Sequence, residues 1–386
     1  MDMVKFEFEM GGAVKAAMVC TIFGVLRFSP LHGQARGHRL VFVDNNYKEV
    51  AKEKGATYEV EIFDFSDTVY FETRSRSPKG LIEKGQYPIN LGFDLRNCEI
   101  QRFWPNGNVR SKGEIKNSWN EGLWTFYDEN GEKYSEVEFL SGLITGAAKR
   151  LYNNGTIRTY TYQKNIKQGE SSFYDTSGKL LQICNYTNDS LDGLLVSYYQ
   201  TGKIQRKTLY AHGFVQKDSW YYEEGNLFNA EQYDNKGILH GRCMMYTHSG
   251  KIARLDDYAH GEVIQNDCIH PLADADWKGD DCPPRLIKAK YPPGIEKYME
   301  FVGLNQEYPE TAIQWRQQGV VIYEFTIGPY GLMENITEEN IVPVGFGLEK
   351  ESMRLLKKMQ RYEPERVNGK IVPVRIQMPY VFILQE

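Results

Sequence analysis

The chain has 386 residues, too many for one ordinary core, so two or three structural units are expected. A formal net charge of −5 with no basic stripe argues against nucleic-acid binding, which relies on counterion release. The 26 Tyr and 35 Gly favour short strands joined by tight turns, because tyrosine suits half-buried sheet faces and glycine supplies positive φ.

The N-terminus carries an apolar run from Ala16 to Leu26, preceded by Lys15 and followed by small residues at Gly33-Gln34-Ala35. This pattern predicts a secretory signal peptide over residues 1–35 and export to the periplasm or outer membrane. The alternative is a buried N-terminal element in a cytoplasmic protein. The run is too short for an ordinary spanning helix, which needs roughly 18 apolar residues or more. Residues 36–99 read as an N-terminal β cap. They hold strand-like pieces between Leu40 and Asp64, then a degenerate repeat around residues 80–84 with Tyr70 and Phe71 before it.

From residue 100 to 265 the chain is periodic. Glycines after polar turns fall at 107, 131, 155, 178, 202, 225 and 250, spaced by 23 to 25 residues. An aromatic stands three or four residues before each: Trp104, Tyr127, Tyr152, Tyr174, Tyr199, Tyr222 and Tyr246. A second glycine series lies about midway, at 122, 146, 169, 193 and 241, with Lys217 in the remaining slot. In the unit from Leu151, Asn153-Asn154-Gly155 predicts a tight turn, Thr156–Tyr162 a strand, Gln163–Gly169 a longer polar loop and Glu170–Tyr174 the returning strand. Each unit is then one hairpin of an antiparallel meander. A lone hairpin is marginal in water, which explains the repetition.

The Y-x-x-x-G pattern with its midway glycine resembles MORN-variant repeats, the YwqK-type antitoxin kind. The resemblance implies a long twisted antiparallel sheet and no chemistry of its own. Relatives of this repeat type are linked to membrane lipids, surface polymers and protein partners. The recurrent aromatics are either a stacking platform for a glycan or partner or the structural filling of each hairpin. The second reading is preferred, because aromatic burial stabilises thin sheets. His212 and His260 stand in matched Tyr-Ala-His-Gly phrases 48 residues apart, two repeat periods, which points to repeat ancestry rather than metal ligation. Asp274, Asp276, Asp280 and Asp281 lack calcium-loop spacing.

Residues 266–294 are proline-rich and read as a linker, which would let the flanking regions move independently. Cys268 and Cys282 bracket a polar segment within it, either as a disulfide or as two thiols. Residues 295–386 change character. A helix opens at Tyr308-Pro309-Glu310 and runs to Gln318, where Gly319 stops it. Val320–Ile327 is a strong strand, Gly328–Gly331 a turn and Leu332–Val342 a weaker strand. Leu348–Met359 is an amphipathic helix, and Ile371–Leu384 a last strand whose Pro373 and Pro379 mark it as edge or bulged.

The ordered phrases Tyr308-Pro309-Glu310-Thr311-Ala312, Gly319-Val320-Val321, Lys357-Lys358-Met359 and Asn368-Gly369-Lys370, with Phe325, Glu351, Arg354, Pro364, Pro379 and Phe382, resemble the TonB C-terminal domain. That resemblance implies a small α+β domain which takes up an extended segment of an outer-membrane receptor at a sheet edge. Carried onto this chain, the edge is the last strand, including Arg375, Gln377, Tyr380 and Val381. The alternative is a purely structural strand, or one that pairs with a second copy.

The expected protein is therefore mainly β, an antiparallel hairpin-repeat sheet plus a small α+β domain. No GxSxG, HExxH, P-loop or dinucleotide fingerprint is present, so a binding or scaffold role without catalysis, metal or cofactor is expected. The partner would be a protein or peptide, with glycan or lipid as further classes. Alternatives are a TonB-type energy transducer and an intracellular antitoxin-like partner. The transducer reading would require a membrane anchor and a long proline-rich spacer.

Overall fold

In the computed structural model, the described residues are 37–43, 58–64, 68–76, 79–88, 98–268, 286–287, 294–328, 330–359, 361–367, 370–371 and 373–384. The expected signal peptide, the Asp274–Asp281 cluster and Cys282 lie outside them, and with Cys282 so does the Cys268 pairing. The chain divides into two compact units. One holds residues up to 133 together with 138–143, the other residues 134–137 and 144–386.

The first unit is an antiparallel meander. Its strands are β1 (Gly37–Val43), β2 (Tyr58–Asp64), β3 (Thr68–Arg76), β4 (Lys79–Pro88), β5 (Cys98–Phe103), β6 (Val109–Lys116) and β7 (Trp119–Tyr127), each paired with the next. The stretch read as a cap is thus antiparallel β like the repeats and pairs with them through β4 and β5. Trp124 is buried and lies across the strand at Gly113, while its indole N–H donates to the Glu114 carbonyl at 3.1 Å. Phe139 meets the indole edge-on at 6.1 Å and the Arg102 guanidinium lies 4.6 Å over the ring. A Cβ at position 113 would fall 2.4 Å from the indole.

β8 (Lys133–Leu140) has residues in both units, and its residues 134–137 belong to the second. The second unit continues with β9 (Leu143–Leu151), β10 (Ile157–Gln163), β11 (Ile166–Lys167), β12 (Gly169–Tyr174), β13 (Leu180–Thr187), β14 (Ser190–Leu191) and β15 (Gly193–Tyr198). Then follow β16 (Ile204–Ala211), β17 (Phe214–Tyr221), β18 (Leu227–Gln232), β19 (Gly241–Tyr246), β20 (Ile252–Ala259) and β21 (Glu262–Cys268). From β9 onward the ladders are antiparallel between sequential hairpin arms.

Two kinds of turn alternate. At Gly155 the expected tight turn is present: Gly155 N–H donates to the Tyr152 carbonyl at 2.8 Å, Tyr152 N–H to the Thr156 carbonyl at 3.0 Å, and φ at Gly155 is +82°. The expected long loop at Gln163–Gly169 is instead a two-residue turn followed by the short strand β11. Lys164 and Asn165 take positive φ of 52° and 69°, and Gly169 marks an irregularity in the returning strand rather than a loop end. This turn recurs at Asn117-Ser118, Ser141-Gly142, Asn188-Asp189, His212-Gly213 and His260-Gly261. Non-glycine residues in the left-handed region hid it, although Asn, Asp and His are the residue types that tolerate that region.

The C-terminal segment adds β22 (Leu286–Ile287), α1 (Gly294–Asn305), α2 (Glu310–Gln314), β23 (Gly319–Ile327), β24 (Met333–Glu338), α3 (Leu348–Lys358), β25 (Arg366–Val367), β26 (Lys370–Ile371) and β27 (Val374–Phe382). Helix α1 was not expected, and α2 ends four residues earlier than read, at Gln314, because Arg316 turns to a positive φ of 50°. The main sheet has the order β24-β23-β27. One face of it, with Val321, Tyr323, Phe325, Met378, Tyr380 and Phe382, is buried, as are Leu348, Leu355 and Leu356 of α3. Tyr323 donates to the Glu349 carbonyl at 2.8 Å and fixes the sheet to that helix. Glu351 and Arg354 pair at 2.6 Å and also hold the Glu307 N–H and the Asn305 carbonyl, which ties α3 to the segment before Tyr308-Pro309.

Replacing Gly113 by Ala is expected to lower stability by about 1–3 kcal/mol, since the indole has to give way in a packed core. Denaturant unfolding followed by tryptophan fluorescence measures this, and an unchanged midpoint would refute the packing argument.

Candidate functional site

The last strand forms one edge of its sheet. β27 runs antiparallel to β23 from Val374↔Ile327 to Phe382↔Gly319 and has no strand on its other side among the described residues. Ile322 donates its N–H to the Asn340 side chain at 2.9 Å and accepts from the Glu339 N–H at 2.7 Å, so its main-chain groups face β24. The Val320 carbonyl likewise accepts from Asn340 at 2.8 Å. Main-chain direction alternates along a strand. Their partners Pro379 and Val381, and by the same alternation Gln377 and Arg375, therefore turn their main-chain groups away from β23. The Val381 carbonyl accepts from the Gln306 side chain at 3.0 Å, in agreement. Pro379 has no N–H to offer and sits where none is needed for the sheet. Arg375 and Gln377 thus present consecutive outward donor and acceptor pairs.

The four residues expected at this edge divide by side chain. Tyr380 is buried against Met359 and Met378 and belongs to the core. Val381 is exposed. Arg375 and Gln377 lie on the opposite face from Tyr380, and each donates to Glu324 at 3.2 Å. That face is turned toward the repeats. Arg375 donates to Gln182 of β13 at 3.3 Å and lies 5.6 Å from the centroid of the Phe173 ring on β12.

Two carboxyl groups at the end of β24, Glu338 as its last residue and Glu339 just after it, complete the contact. Glu338 accepts from Tyr134 at 2.5 Å and pairs with Arg150 at 3.2 Å. Glu339 accepts from Tyr152 at 2.7 Å, Tyr160 at 2.8 Å, Arg158 at 2.9 Å and Thr337 at 3.0 Å. Arg158 also reaches Glu324 at 3.2 Å. The Tyr134 hydroxyl also lies 2.9 Å from the Asn340 carbonyl, and Ser135 donates to that of Ile341. The C-terminal domain is therefore fastened to β8, β9 and β10, and the proline-rich segment does not set it apart as a separate compact unit.

Burial pushes the Glu338 carboxyl up to about 8, against the pull of Arg150. Burial acts on Glu339 in the same sense, but Arg158 and the hydroxyls of Tyr152, Tyr160 and Thr337 outweigh it and hold that carboxyl below its ordinary range. Neighbouring acids thus carry opposite shifts. Nothing in the sequence marked Glu338, Glu339, Arg150 or Arg158 as a group, because they lie some 180 positions apart.

The recurrent aromatics prove to be two series. Those three residues before the glycine direct their polar tips to main chain one repeat on: Trp104 to the Tyr127 carbonyl at 3.1 Å, Tyr199 to Tyr221 at 2.7 Å and Tyr222 to Tyr246 at 2.9 Å. Tyr152 departs from this pattern and turns to Glu339. Those four residues before the glycine, Tyr127, Tyr174 and Tyr246, are half-buried. His212 and His260 occupy first positions of two-residue turns. Among the described residues no group of three His, Cys, Asp or Glu could hold a metal ion, and no helix is long and apolar enough to cross a membrane.

Arg158→Ala is expected to destabilise the chain by about 3–5 kcal/mol, because Glu339 would keep a buried charge without its cation. Urea unfolding checks this, and a loss below 1 kcal/mol would contradict it. Glu338 is protonated in the folded chain up to about pH 8 and in the unfolded chain only up to about 4.5. Wild-type stability relative to Glu338→Gln should therefore fall as pH rises through that window, by up to about 1.4 kcal/mol per pH unit. Parallel stability curves for the two proteins would show that Glu338 does not titrate in this way.

Comparison with known families agrees with this architecture. Residues 120–140, 167–188 and 191–212 match the MORN repeat variant, and residues 305–384 match the Gram-negative bacterial TonB protein C-terminal family. A search of curated proteins gave no match. The chain carries an array of MORN-variant repeats followed by a TonB C-terminal domain.

Proposed function

We propose that the protein is a non-catalytic binding module of the Gram-negative cell envelope. Its C-terminal domain takes up an extended segment of a protein partner as an additional strand beside β27, and the repeats serve as the platform that carries that domain. The observation behind this reading is the outward pair of main-chain donors and acceptors at Arg375 and Gln377 on an edge strand. Strand addition draws affinity from main-chain hydrogen bonds and leaves selectivity to the side chains around the slot. The family description supports the envelope setting, since it is that of a Gram-negative TonB domain. A segment of an outer-membrane protein is the partner class that fits both.

The test uses the full chain and short random peptides on a display library. Peptides that bind should protect the amides of Arg375, Gln377 and Val381 from hydrogen exchange. Methylating alternate peptide nitrogens should abolish binding, while methylating the others should leave it. Gln377→Pro removes an outward N–H at the centre of the edge and should weaken binding by roughly tenfold or more. Binding that ignores both changes would overturn strand addition at this edge.

A further inference from the structure

The stacking of the C-terminal sheet on the repeats extends beyond the strands that now fill it. Crossing that sheet from β24 through β23 to β27, the contacts move across the repeats in step. The acids at the end of β24 meet β8, β9 and β10, Glu324 of β23 meets β10, and Arg375 of β27 meets β12 and β13. Neighbouring strands lie about 4.8 Å apart and stacked sheets about 10 Å apart. The next position beyond β27 therefore lies over β13, β15 and β16. Its floor is given by the cross-strand partners Gln182, Ser197 and Arg206, with Trp220 after them. Gln182 and Ser197 share one face, as their 3.2 Å hydrogen bond requires.

We propose that this row of the repeat array reads the side chains of the strand added beside β27 and selects an extended peptide with an acidic residue on its floor-facing side. The proposal rests on strand addition as described above and names its partner chemistry. Charge carries the choice. Arg206 turns Nε and Nη2 to Asp218, which also accepts from Thr208 at 2.7 Å and Trp220 at 2.8 Å. Asp218 is thereby saturated, while Nη1 of Arg206 donates to no described residue. The Arg206 side chain keeps 31% of its surface accessible and that of Arg375 41%. An incoming carboxylate would meet both guanidinium groups and the Gln182 amide, with Arg206 itself backed by the Trp220 ring at 4.3 Å. A floor-facing lysine or arginine would meet only N–H donors there, since Asp218 and Glu324 are already engaged by Arg206 and Arg375. Side chains alternate along an added strand, so the requirement falls on every second residue only.

The experiment selects short random peptides on the full chain and measures their affinity. The expected consensus has Asp or Glu on one side of the alternation. Changing that acid to its amide should weaken binding by roughly tenfold, less so as salt is raised. Ser197→Glu should weaken acidic peptides by a similar factor and Ser197→Lys should not. An equal loss with Glu and Lys would signify crowding and overturn the acidic preference. Binding that Gln377→Pro abolishes but neither Ser197 variant alters, to peptides without a recurrent acid, would overturn the reading role of the repeats and leave strand addition standing. Binding indifferent to Gln377→Pro would overturn both. The peptide-side substitution needs no altered protein, so a misfolded variant does not remove the test.

Discussion

The burial of Glu339 fixes the arrangement of everything around it. A carboxylate taken out of water is tolerated only if its lone pairs are filled and a cation stands close. Here one guanidinium and three hydroxyls do this, and three of those four donors come from β10 or the turn after β9. The constraint works in both directions. The C-terminal sheet cannot leave the repeats without exposing Arg158 and Glu339 together, and the repeats cannot slide by one residue without turning Tyr160 and Arg158 to the other face. A charged contact of this kind adds less net stability than an apolar one of the same size, but it admits few alternative alignments.

That alignment gives the edge strand its surroundings. β27 taken alone is an ordinary sheet margin, which proteins usually cover or blunt. Stacked over the repeats, its open side becomes a slot with a floor. Pro379 and the Gln306 cap on the Val381 carbonyl blunt one end, and Arg375 and Gln377 remain available at the other. Tyr380, which sits on the same strand, points to the other face and meets the Met359 sulfur just after α3.

The repeats show how one periodic pattern meets two demands. At Trp104, Tyr199 and Tyr222 the aromatic before the glycine joins its own repeat to the next through a main-chain carbonyl. At Tyr152 the same position is diverted to a carboxylate from another domain. The local geometry of the turn is unchanged there, since Gly155 and Tyr152 close it as elsewhere. Only the partner of the hydroxyl differs.

The glycine and aromatic spacing by itself determined the hairpin array, its period and its antiparallel course, because tight turns and alternating strands are short-range consequences of residue type. The ordered TonB-like phrases likewise carried the C-terminal domain and its edge strand, where Pro379 could be placed from its missing N–H alone. The two-residue turns escaped because Lys164-Asn165 and His212 take positive φ without a glycine to announce it at the first position. The short end of α2 escaped because its stop is Arg316, not Gly319. Only the tertiary structure decided that Tyr380 is core while Arg375 faces the repeats, and that Glu338 and Glu339 meet Arg150 and Arg158. Such pairings join residues far apart in sequence, and their free energy depends on shared burial, a property that no residue has until the sheets are stacked.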